Sequence, residues 1–442
     1  MGILEVKAAI KKQGVEEVAL QFTDLSGGLH SLWVPAGLLP NFVEEGIHMD
    51  GSSVDMVDIS KSDLKLIPDI DTFTVMPPSL FPSRVARAVC DICEPDSDRP
   101  FRGDPRFVLR KVIDGSRRIL GGHATYNACS EIEYFLFRRD QAGNLVRQDE
   151  GGYLSSPPAD GGIDARLEIV RNLESVGVTV EKHHHEVPQG KYELNLPYSD
   201  ALAMADTIYL VKLVVKMTAA RKGMVASFMP KPFHDGYGAG LHTHVSVTDD
   251  KSESNLFYDP KSPFGVSRTA QFFVGGVLAH ARGLAALTNP SVNSYKRLVP
   301  GWEAPVYLSW SKYNRSVLVR VPPGKGMRAR IEYRPTDGSC NFYVAYAGIL
   351  AAGLDGIERK IEPPPQVEED VYHMTEKQRV ERGIGVLPGN LGEALAELDK
   401  DKYLRESLGS EFSEMFLKTK AKEWREFNLT VHEWERKRYL DV

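Results

Sequence analysis

Four segments that lie far apart in the chain share one pattern, in which every second residue is a carboxylate, a histidine, an arginine or another polar residue. Residues i and i+2 of a β-strand point to the same face, so each segment predicts a strand with one apolar and one ionic face. The segments are 130–137, 190–195, 241–246 and 328–334. A curved sheet whose concave side gathers these ionic faces explains the repetition better than four unrelated solvated edges.

Carboxylates dominate the ionic faces. Glu131 and Glu133 are neighbours on the first predicted strand, and Phe135 and Phe137 continue the same face, which indicates that it is not simply solvated. Two adjacent carboxylates repel, so a cation must neutralise them. Glutamate oxygens with at most one histidine suit Mg²⁺ or Mn²⁺, whereas zinc more often takes cysteines or several histidines.

The run of three histidines and a glutamate at 183–186 offers further metal ligands. Consecutive residues of an extended chain cannot all face one ion, so we expect at most Glu186 to coordinate there. A histidine such as His242, taken alone, is more often a satisfied structural residue than a metal ligand, so its role stays open at this point.

Arginines are concentrated in the same half of the chain, in segments rich in glycine and proline that predict loops over a site. Guanidinium groups match carboxylates and phosphates, and a divalent metal beside them points to phosphoryl transfer. The sequence lacks a Gly-x-x-x-x-Gly-Lys-Ser/Thr phosphate loop, and the glycines of 236–240 do not follow the dinucleotide fingerprint. A nucleotide would therefore bind in a less common fold. These arginines are Arg297, Arg315, Arg320, Arg330 and Arg334.

Composition excludes several other classes of protein. Lysine and arginine number 54 against 60 aspartates and glutamates, so no overall basic field exists to hold nucleic acid or an anionic membrane. The most apolar stretches, 272–287 and 343–354, are too short to cross a bilayer. The first residues do not have the pattern of a signal peptide, so we expect a cytoplasmic protein.

The four cysteines, Cys90, Cys93, Cys129 and Cys340, are too few for a disulfide framework in a chain of 442 residues. The pair at 90 and 93 has the spacing of half a zinc site, but no second pair matches it. We expect structural thiols in a strand rather than a metal or redox centre.

The order of predicted elements indicates an α+β protein with two domains. A helix over 3–14 and strands over 17–23 and 30–35 predict a small N-terminal unit. Proline, aspartate and glycine cluster at 95–105, where we place the boundary between domains 1–100 and 101–442. Helical patterns then alternate with short strands, and 390–439 predicts amphipathic helices that cover the core or reach a neighbouring subunit.

The segment 289–305, Asn-Pro-Ser-Val-Asn-Ser-Tyr-Lys-Arg-Leu-Val-Pro-Gly-Trp-Glu-Ala-Pro, closely resembles the ATP-binding signature region of type I glutamine synthetases. The resemblance is specific and extends over nearly the whole chain. It includes the motifs at 49–53, 130–133, 184–187, 228–232, 240–242, 314–316, 330–334 and 352–356.

The resemblance implies a small N-terminal β-grasp domain and a large catalytic domain with a curved antiparallel sheet flanked by helices. It also implies a homo-dodecamer of two hexameric rings with active sites between neighbouring subunits. The implied reaction joins ammonia to the γ-carboxylate of glutamate at the expense of ATP, through γ-glutamyl phosphate, with two or more Mg²⁺ or Mn²⁺ ions per site. The expected partners are therefore glutamate, ammonium, ATP and further copies of the chain.

The same resemblance assigns roles to individual residues. One metal matches Glu133, Glu186 and Glu193, and the other matches Glu131, His242 and Glu332. Glutamate matches Gly238, Arg297 and Arg334; the phosphates match Arg315, Arg320 and Arg330; the nucleotide pocket matches His244 and Ser246. Asp50 of a neighbouring subunit and the flap residue Glu303 resemble the ammonium site, and Arg315 is also expected to act in catalysis.

Some positions depart from the family pattern, and all of them lie near the expected glutamate site. Lys191 stands where the family usually has glutamine, Asn195 where it has aspartate, and 237–240 reads Tyr-Gly-Ala-Gly instead of Asn-Gly-Ser-Gly. Trp302 replaces a common tyrosine or phenylalanine. These departures leave open a γ-glutamyl-amine ligase that uses an organic amine such as a polyamine, methylamine or ethanolamine. A catalytically inactive family member is the third alternative.

Overall fold

The computed structural model describes residues 2–300, 302 and 304–442. Within its first hundred residues, five strands form a mixed sheet in the order β2-β1-β5-β4-β3, with β1 and β5 parallel and the other pairs antiparallel. One helix precedes β1 and β2, and a second precedes β3, β4 and β5. The elements are α1 (Ile3–Gln13), β1 (Glu17–Thr23), β2 (Leu29–Pro35), α2 (Leu39–Glu45), β3 (Ile47–Asp50), β4 (Asp63–Val75) and β5 (Val85–Cys93).

The larger part contains a second sheet, for which the described residues supply eleven strands; its main path runs β14-β15-β16-β12-β6-β9-β8. Helices pack against this sheet and against one another. The elements up to the middle of the sheet are α3 (Pro105–Leu120), β6 (Ala124–Arg139), β7 (Leu145–Arg147), α4 (Ile163–Ser175), β8 (Lys182–His185), β9 (Lys191–Asn195), β10 (Ser199–Asp200), α5 (Ala201–Arg221), β11 (Val225–Ser227) and β12 (Leu241–Asp249).

The remaining elements complete the sheet edge and its helical cover. They are β13 (Ser254–Asn255), α6 (Arg268–Ala279), α7 (Ala281–Thr288), α8 (Ser294–Arg297), β14 (Trp310–Ser311), β15 (Val319–Arg320), β16 (Ile331–Tyr333), α9 (Phe342–Arg359), α10 (Glu376–Glu381), α11 (Leu391–Lys400), α12 (Lys402–Leu408), α13 (Ser410–Leu429) and α14 (Glu433–Tyr439). A small N-terminal unit and a larger C-terminal unit, each built of helices and a sheet, confirm the expected α+β fold.

Two hydrophobic cores reflect this division. The smaller core lies on the N-terminal sheet and includes Val18, Leu20 and Ala88. The larger core is centred on α9, an almost wholly apolar helix whose residues 342–356 are all buried against α3, α6 and α7. Because this helix is apolar on every side, it has no solvent-facing stripe and must be surrounded.

An ionic junction joins the two parts. Arg106 of α3 is buried, and its guanidinium donates hydrogen bonds to Asp69 at 2.7 Å, to Asp91 at 2.5 Å and to both carboxylate oxygens of Asp206. Asp69 and Asp91 belong to the N-terminal sheet, whereas Asp206 lies on α5. A single cation therefore holds carboxylates from both sides of the junction.

The segment 328–334 is not one strand, contrary to the sequence-based expectation. Only Ile331–Tyr333 pairs in the sheet, and a 3₁₀ turn at Gly326–Arg328 precedes it. Gly326 adopts φ +58°, in the left-handed region that favours glycine, and so ends the extended chain before Arg328. Arg328 is exposed and does not share the ionic face of Arg330, Glu332 and Arg334.

The cysteines are buried free thiols, as expected, and Cys90 and Cys93 lie on β5. The apolar stretch 272–287 belongs to two helices, α6 and α7, which meet at His280 at an angle of 79°. Among the described residues, no single helix is long and apolar enough to cross a bilayer, and only this bent pair meets the length and composition together.

Candidate active site

The ionic faces of β6, β8, β9, β12 and β16 surround one open cavity of about 1330 Å³. The register of the sheet places their side chains together: Glu133 of β6 lies opposite Glu193 of β9, and His242 of β12 lies opposite Glu131. Residue Glu332 of β16 pairs with His244. The predicted convergence of separate ionic faces on one concave site is confirmed.

A first cluster contains Glu133, Glu186, Glu193 and His184. Ligand-type atoms of His184, Glu186 and Glu193 all lie within 4.8 Å of one another, which is close enough to hold one metal ion. His184 Nε2 is 3.3 Å from Glu193, and this contact raises the pKa of His184. Burial raises the pKa of Glu186, although the Lys191 charge partly opposes it.

Glu133 is buried but ionised. Burial opposes its charge, yet the Lys191 ammonium at 2.8 Å and the backbone N–H of Gly240 at 2.6 Å hold its pKa at about 2. The cluster is therefore a set of carboxylates with a cation already hydrogen-bonded to one of them.

A second cluster contains Glu131, Glu332, His242 and His244. Glu131 is 3.2 Å from both His242 Nδ1 and His244 Nε2, and His242 Nδ1 is 3.7 Å from Glu332. Glu131, His244 and Glu332 have ligand-type atoms within 4.8 Å of one another. Burial disfavours ionisation of Glu131, but hydrogen bonds from the two histidines outweigh it and hold its pKa well below the usual value.

Strand alternation explains which of the three consecutive histidines faces the cavity. His184 and Glu186 share the cavity side, whereas Arg166 contacts His183 and Asp149 contacts His185 on the other side. His184 therefore lies in the first cluster beside Glu186, because residues i and i+2 of a strand share a face and residue i+1 does not. The expectation that at most Glu186 of this segment coordinates an ion stays a prediction.

Two arginines bind the carboxylate of Glu332. Arg320 and Arg334 each donate a hydrogen bond at 2.6 Å to a different oxygen of this fully buried side chain. Burial raises its pKa, but Arg334, the neighbouring histidines and Arg320 lower it to about 2. Arg330 lines the cavity and donates from Nε to His244 Nδ1 at 3.2 Å, and the exposed Arg315 lies on the cavity lining. These cations suit a polyanionic ligand.

Arg297 supports the backbone at the expected glutamate site. Its guanidinium donates to the carbonyl oxygens of Pro335 at 2.5 Å and Arg334 at 3.4 Å, and its side chain packs under Gly238. A Cβ at Gly238 would approach the carbonyl oxygen of Pro230 to 2.3 Å, so a side chain does not fit there. The structure thus brings Gly238, Arg297 and Arg334 to one wall of the cavity.

Two expected site residues lie outside the described lining of the cavity. Asp50 is at the exposed end of β3, outside the cavity lining among the described residues, and Ser52 and Ser53 lower its pKa to about 2 by hydrogen bonds. Ser246 is buried opposite Asn127, further along β12 than the residues of the lining that the structure describes. Glu303 lies outside the described residues.

Several lining residues were not predicted as site residues. Lys191 contacts Glu133, and His184 contacts Glu193. Lys191 lies two residues before Glu193, and His184 lies two residues before Glu186. This spacing was the signal that could have identified them. Tyr237 and Trp302 meet edge-to-face at the cavity, with ring centroids 6.2 Å apart. Their sequence positions marked them only as departures from a family pattern, since nothing local predicts that they touch.

Comparison with protein families gives two matches that together cover most of the chain. Residues 14–95 match the model described as glutamine synthetase, beta-Grasp domain. Residues 102–439 match the model described as glutamine synthetase, catalytic domain.

Full-length relatives agree with these matches. The chain is 45% identical to a glutamine synthetase of Thermotoga maritima, with both chains covered completely, and 42% identical to one of Thermus thermophilus over 99% of this chain and 98% of the relative. Among solved structures, it is similar to GmaS in an ADP complex, with a TM-score of 0.89 and 33% identity over 99% of each chain. A structure of GmaS without ligand has a TM-score of 0.88.

Proposed function

The chain belongs to the glutamine synthetase family of ATP- and metal-binding ligases, and we propose that it joins ammonia to the γ-carboxylate of L-glutamate. The products would be glutamine, ADP and phosphate, formed through γ-glutamyl phosphate. The observation that supports this most strongly is the placement of two carboxylate–histidine clusters side by side on one sheet face, beneath arginines that suit phosphate.

The donor groups fit two Mg²⁺ or Mn²⁺ ions. Both clusters offer glutamate oxygens with few histidine nitrogens, and the strongly lowered pKa values keep Glu133 and Glu332 ionised. We assign Glu133, Glu186 and Glu193 to one ion and Glu131, His242 and Glu332 to the other, with His184 and His244 beside them. Such ions, when bound, neutralise phosphate oxygens and orient the reacting groups.

Protein side chains perform the remaining tasks. Arg334 would bind the glutamate substrate, with Arg297 holding the backbone behind it, while Arg315, Arg320 and Arg330 would face the phosphates of ATP. His244 and Ser246 would belong to the nucleotide pocket. Fixed cations of this kind stabilise developing charge without reorganisation.

The reaction has two displacement steps. A γ-carboxylate oxygen of glutamate attacks the terminal phosphorus of ATP, and the bond to ADP breaks. The nitrogen of ammonia then attacks the acyl carbon, and phosphate leaves. Asp50 of a neighbouring subunit would bind ammonium and accept its proton, and Glu303 would shield the acyl phosphate from water.

Asp50 requires a neighbour in this scheme. In line with the assembly that the resemblance to type I glutamine synthetases implies, we propose a homo-dodecamer of two hexameric rings, which we expect in the cytoplasm. Exposure of Asp50 at a domain edge, away from the described lining of its own cavity, supports this proposal. Twelve chains of 49.2 kDa give about 590 kDa. Light scattering should report that mass, or half of it for a single ring; a stable monomer would contradict the assembly.

A γ-glutamyl-amine ligase is the second candidate function. The aromatic pair Tyr237–Trp302 favours it, because aromatic surface at a cavity can receive the apolar part of an organic amine. The Lys231 ammonium lies 4.4 Å from the centre of the Trp302 ring, and this cation–π contact stabilises the position of the indole. The structural similarity to GmaS is compatible with this alternative.

One assay separates the two functions. Phosphate release with glutamate and ATP should be measured with ammonium, methylamine, ethanolamine and a polyamine as acceptors. We expect ammonium to give the highest kcat/KM. Turnover with ammonium that is absent, or far below that with an organic amine, would replace the first function by the second.

A further inference from the structure

Lys191 is the first residue of β9, and its side chain lies inside the first carboxylate cluster. Only 5% of the side chain is exposed. Its ammonium donates to Glu133 Oε2 at 2.8 Å and to the carbonyl oxygen of Gly238 at 3.0 Å, and it lies 3.8 Å from Glu186 Oε2. Two of the three carboxylates assigned to one metal ion are therefore already neighbours of a fixed positive charge.

A buried ammonium at this position competes with a divalent ion in two ways. It donates to a Glu133 oxygen, one of the atoms available to coordinate the ion, and it adds a like charge a few ångströms from the ion. Burial in a low-dielectric surrounding strengthens both effects relative to water. A glutamine, which the resembled family usually has at this position, would have no net charge and would not compete in the same way.

We propose that Lys191 is an internal cation of the first cluster, which weakens the binding of a divalent metal ion by Glu133, Glu186 and Glu193. The ammonium neutralises part of the negative charge of these carboxylates. With an uncharged residue at position 191, the metal ion alone would neutralise that charge. This inference rests on the proposed two-metal site, and it does not depend on which amine is the acceptor.

Direct Mn²⁺ binding tests the proposal without any activity measurement. Free Mn²⁺ should be titrated by its paramagnetic resonance signal against the full-length wild type, Glu193→Gln and Lys191→Gln. The Mn²⁺ binding event that Glu193→Gln removes or severely weakens is the one assigned to the first cluster. Lys191→Gln should tighten that same event about tenfold or more, and the double variant should lose this gain.

Lys182→Gln is the matched control, because Lys182 is an exposed lysine that lines the same cavity. It removes the same charge, and we expect less than a threefold change in Mn²⁺ affinity. A similar gain in both lysine variants would assign the effect to the general field of the cavity and overturn a specific role for Lys191. An unchanged or weakened event in Lys191→Gln would also overturn it.

Circular dichroism and light scattering would verify that each variant folds and assembles, and Lys191→Met replaces Lys191→Gln if the latter does not. If Glu193→Gln retains every Mn²⁺ binding event of the wild type, both this inference and the two-metal assignment are rejected. Failure of ammonium as the acceptor would reject the main proposed function while leaving the Mn²⁺ result intact.

Discussion

Glu332 is the most completely enclosed acid of the site, with two guanidinium groups and two histidines around one carboxylate. Its charge balances the arginines, so a neutral replacement leaves buried cations without their partner as well as removing a metal ligand. In the proposed mechanism, this residue would therefore link the binding of metal to the placement of the arginines assigned to phosphate and to glutamate.

Glu332→Gln should lower kcat/KM by at least about 100-fold and remove one Mn²⁺ binding event, because it removes charge where phosphoryl transfer needs a fixed metal. Steady-state kinetics and Mn²⁺ titration measure both effects. Glu368→Gln is the control, since Glu368 is an exposed carboxylate of the same cavity, and we expect it to keep near-normal turnover. Near-normal turnover in Glu332→Gln would refute the assignment.

The aromatic pair gives a second prediction at this scale. Trp302→Ala should lower the preference for methylamine or ethanolamine over ammonium by about tenfold, because it removes aromatic surface beside Tyr237 that can receive the apolar part of an organic amine. Competition assays with both amines measure the ratio. Tyr313→Ala controls for loss of an aromatic side chain, since Tyr313 also lines the cavity but is largely exposed. An equal shift in both variants would argue against a selective role for Trp302.

At the scale of elements, β6 determines the layout of the site. Its 16 residues pair with β12 on one side and β9 on the other, so Glu131 and Glu133 each meet ligands from a different neighbour. A slip of one residue in either pairing would turn the ionic face away from the cavity. The two clusters are adjacent because Glu131 and Glu133, one from each cluster, are separated by a single residue of the same strand.

Alternation along single strands was sufficient to predict the ionic faces and the site of Glu131, Glu133, Glu193 and His242, since each strand carries its own period of two. It could not predict the contact of Lys191 with Glu133, because strand order and register are non-local. The strand predicted over 328–334 was too long: its alternating pattern is continuous, but the turn at Gly326–Arg328 interrupts the extended backbone, and only Ile331–Tyr333 pairs in the sheet.

The junction of α6 and α7 carries a pH-dependent contact. His280 separates the two helices, and its ring nitrogens lie 2.7 Å from Asp401 and 3.0 Å from Asp355. Burial lowers the pKa of His280, but the two carboxylates outweigh burial and raise it above 6.5. A raised pKa means that the contact stabilises the fold fully below pH 6.5 and that this stabilisation disappears as the pH rises through the folded-state pKa.

His280→Asn should therefore lower the free energy of unfolding by about 3 kcal/mol near pH 6 and by clearly less above the folded-state pKa. Urea unfolding at a series of pH values measures the difference. His123→Asn, at an exposed histidine, should show no such trend. A cost of His280→Asn that grows with pH would contradict the direction of the pKa shift.

At the scale of the whole molecule, Arg106 joins the N-terminal sheet to the catalytic domain. Arg106→Gln should cost about 3–5 kcal/mol, because it leaves carboxylates at a buried junction without their cation. Chemical denaturation monitored by circular dichroism measures the loss. Arg110→Gln is a matched control: Arg110 is one-third exposed and pairs with Asp91, so we expect a cost of about 1 kcal/mol or less. Equal costs would show that the junction does not depend on Arg106.

Sharing of active sites between subunits gives the last prediction. Asp50→Asn and Glu332→Gln should each inactivate a homo-oligomer, because every site then lacks one of the two groups. If Asp50 comes from a neighbour, co-expression of the two variants in equal amounts should restore activity at about one-quarter of the sites, those with both native residues. Differently tagged subunits allow purification of the mixed oligomers.

Co-expression of Glu133→Gln with Glu332→Gln is the control for that experiment, since both residues line the cavity of one chain and no mixture can restore both. We expect no recovery there. Absence of recovery in the Asp50 and Glu332 mixture, in oligomers shown to contain both tags, would place Asp50 in the site of its own chain or outside catalysis. Recovery would explain why a buried, nearly complete set of metal ligands is paired with an exposed aspartate at the domain edge.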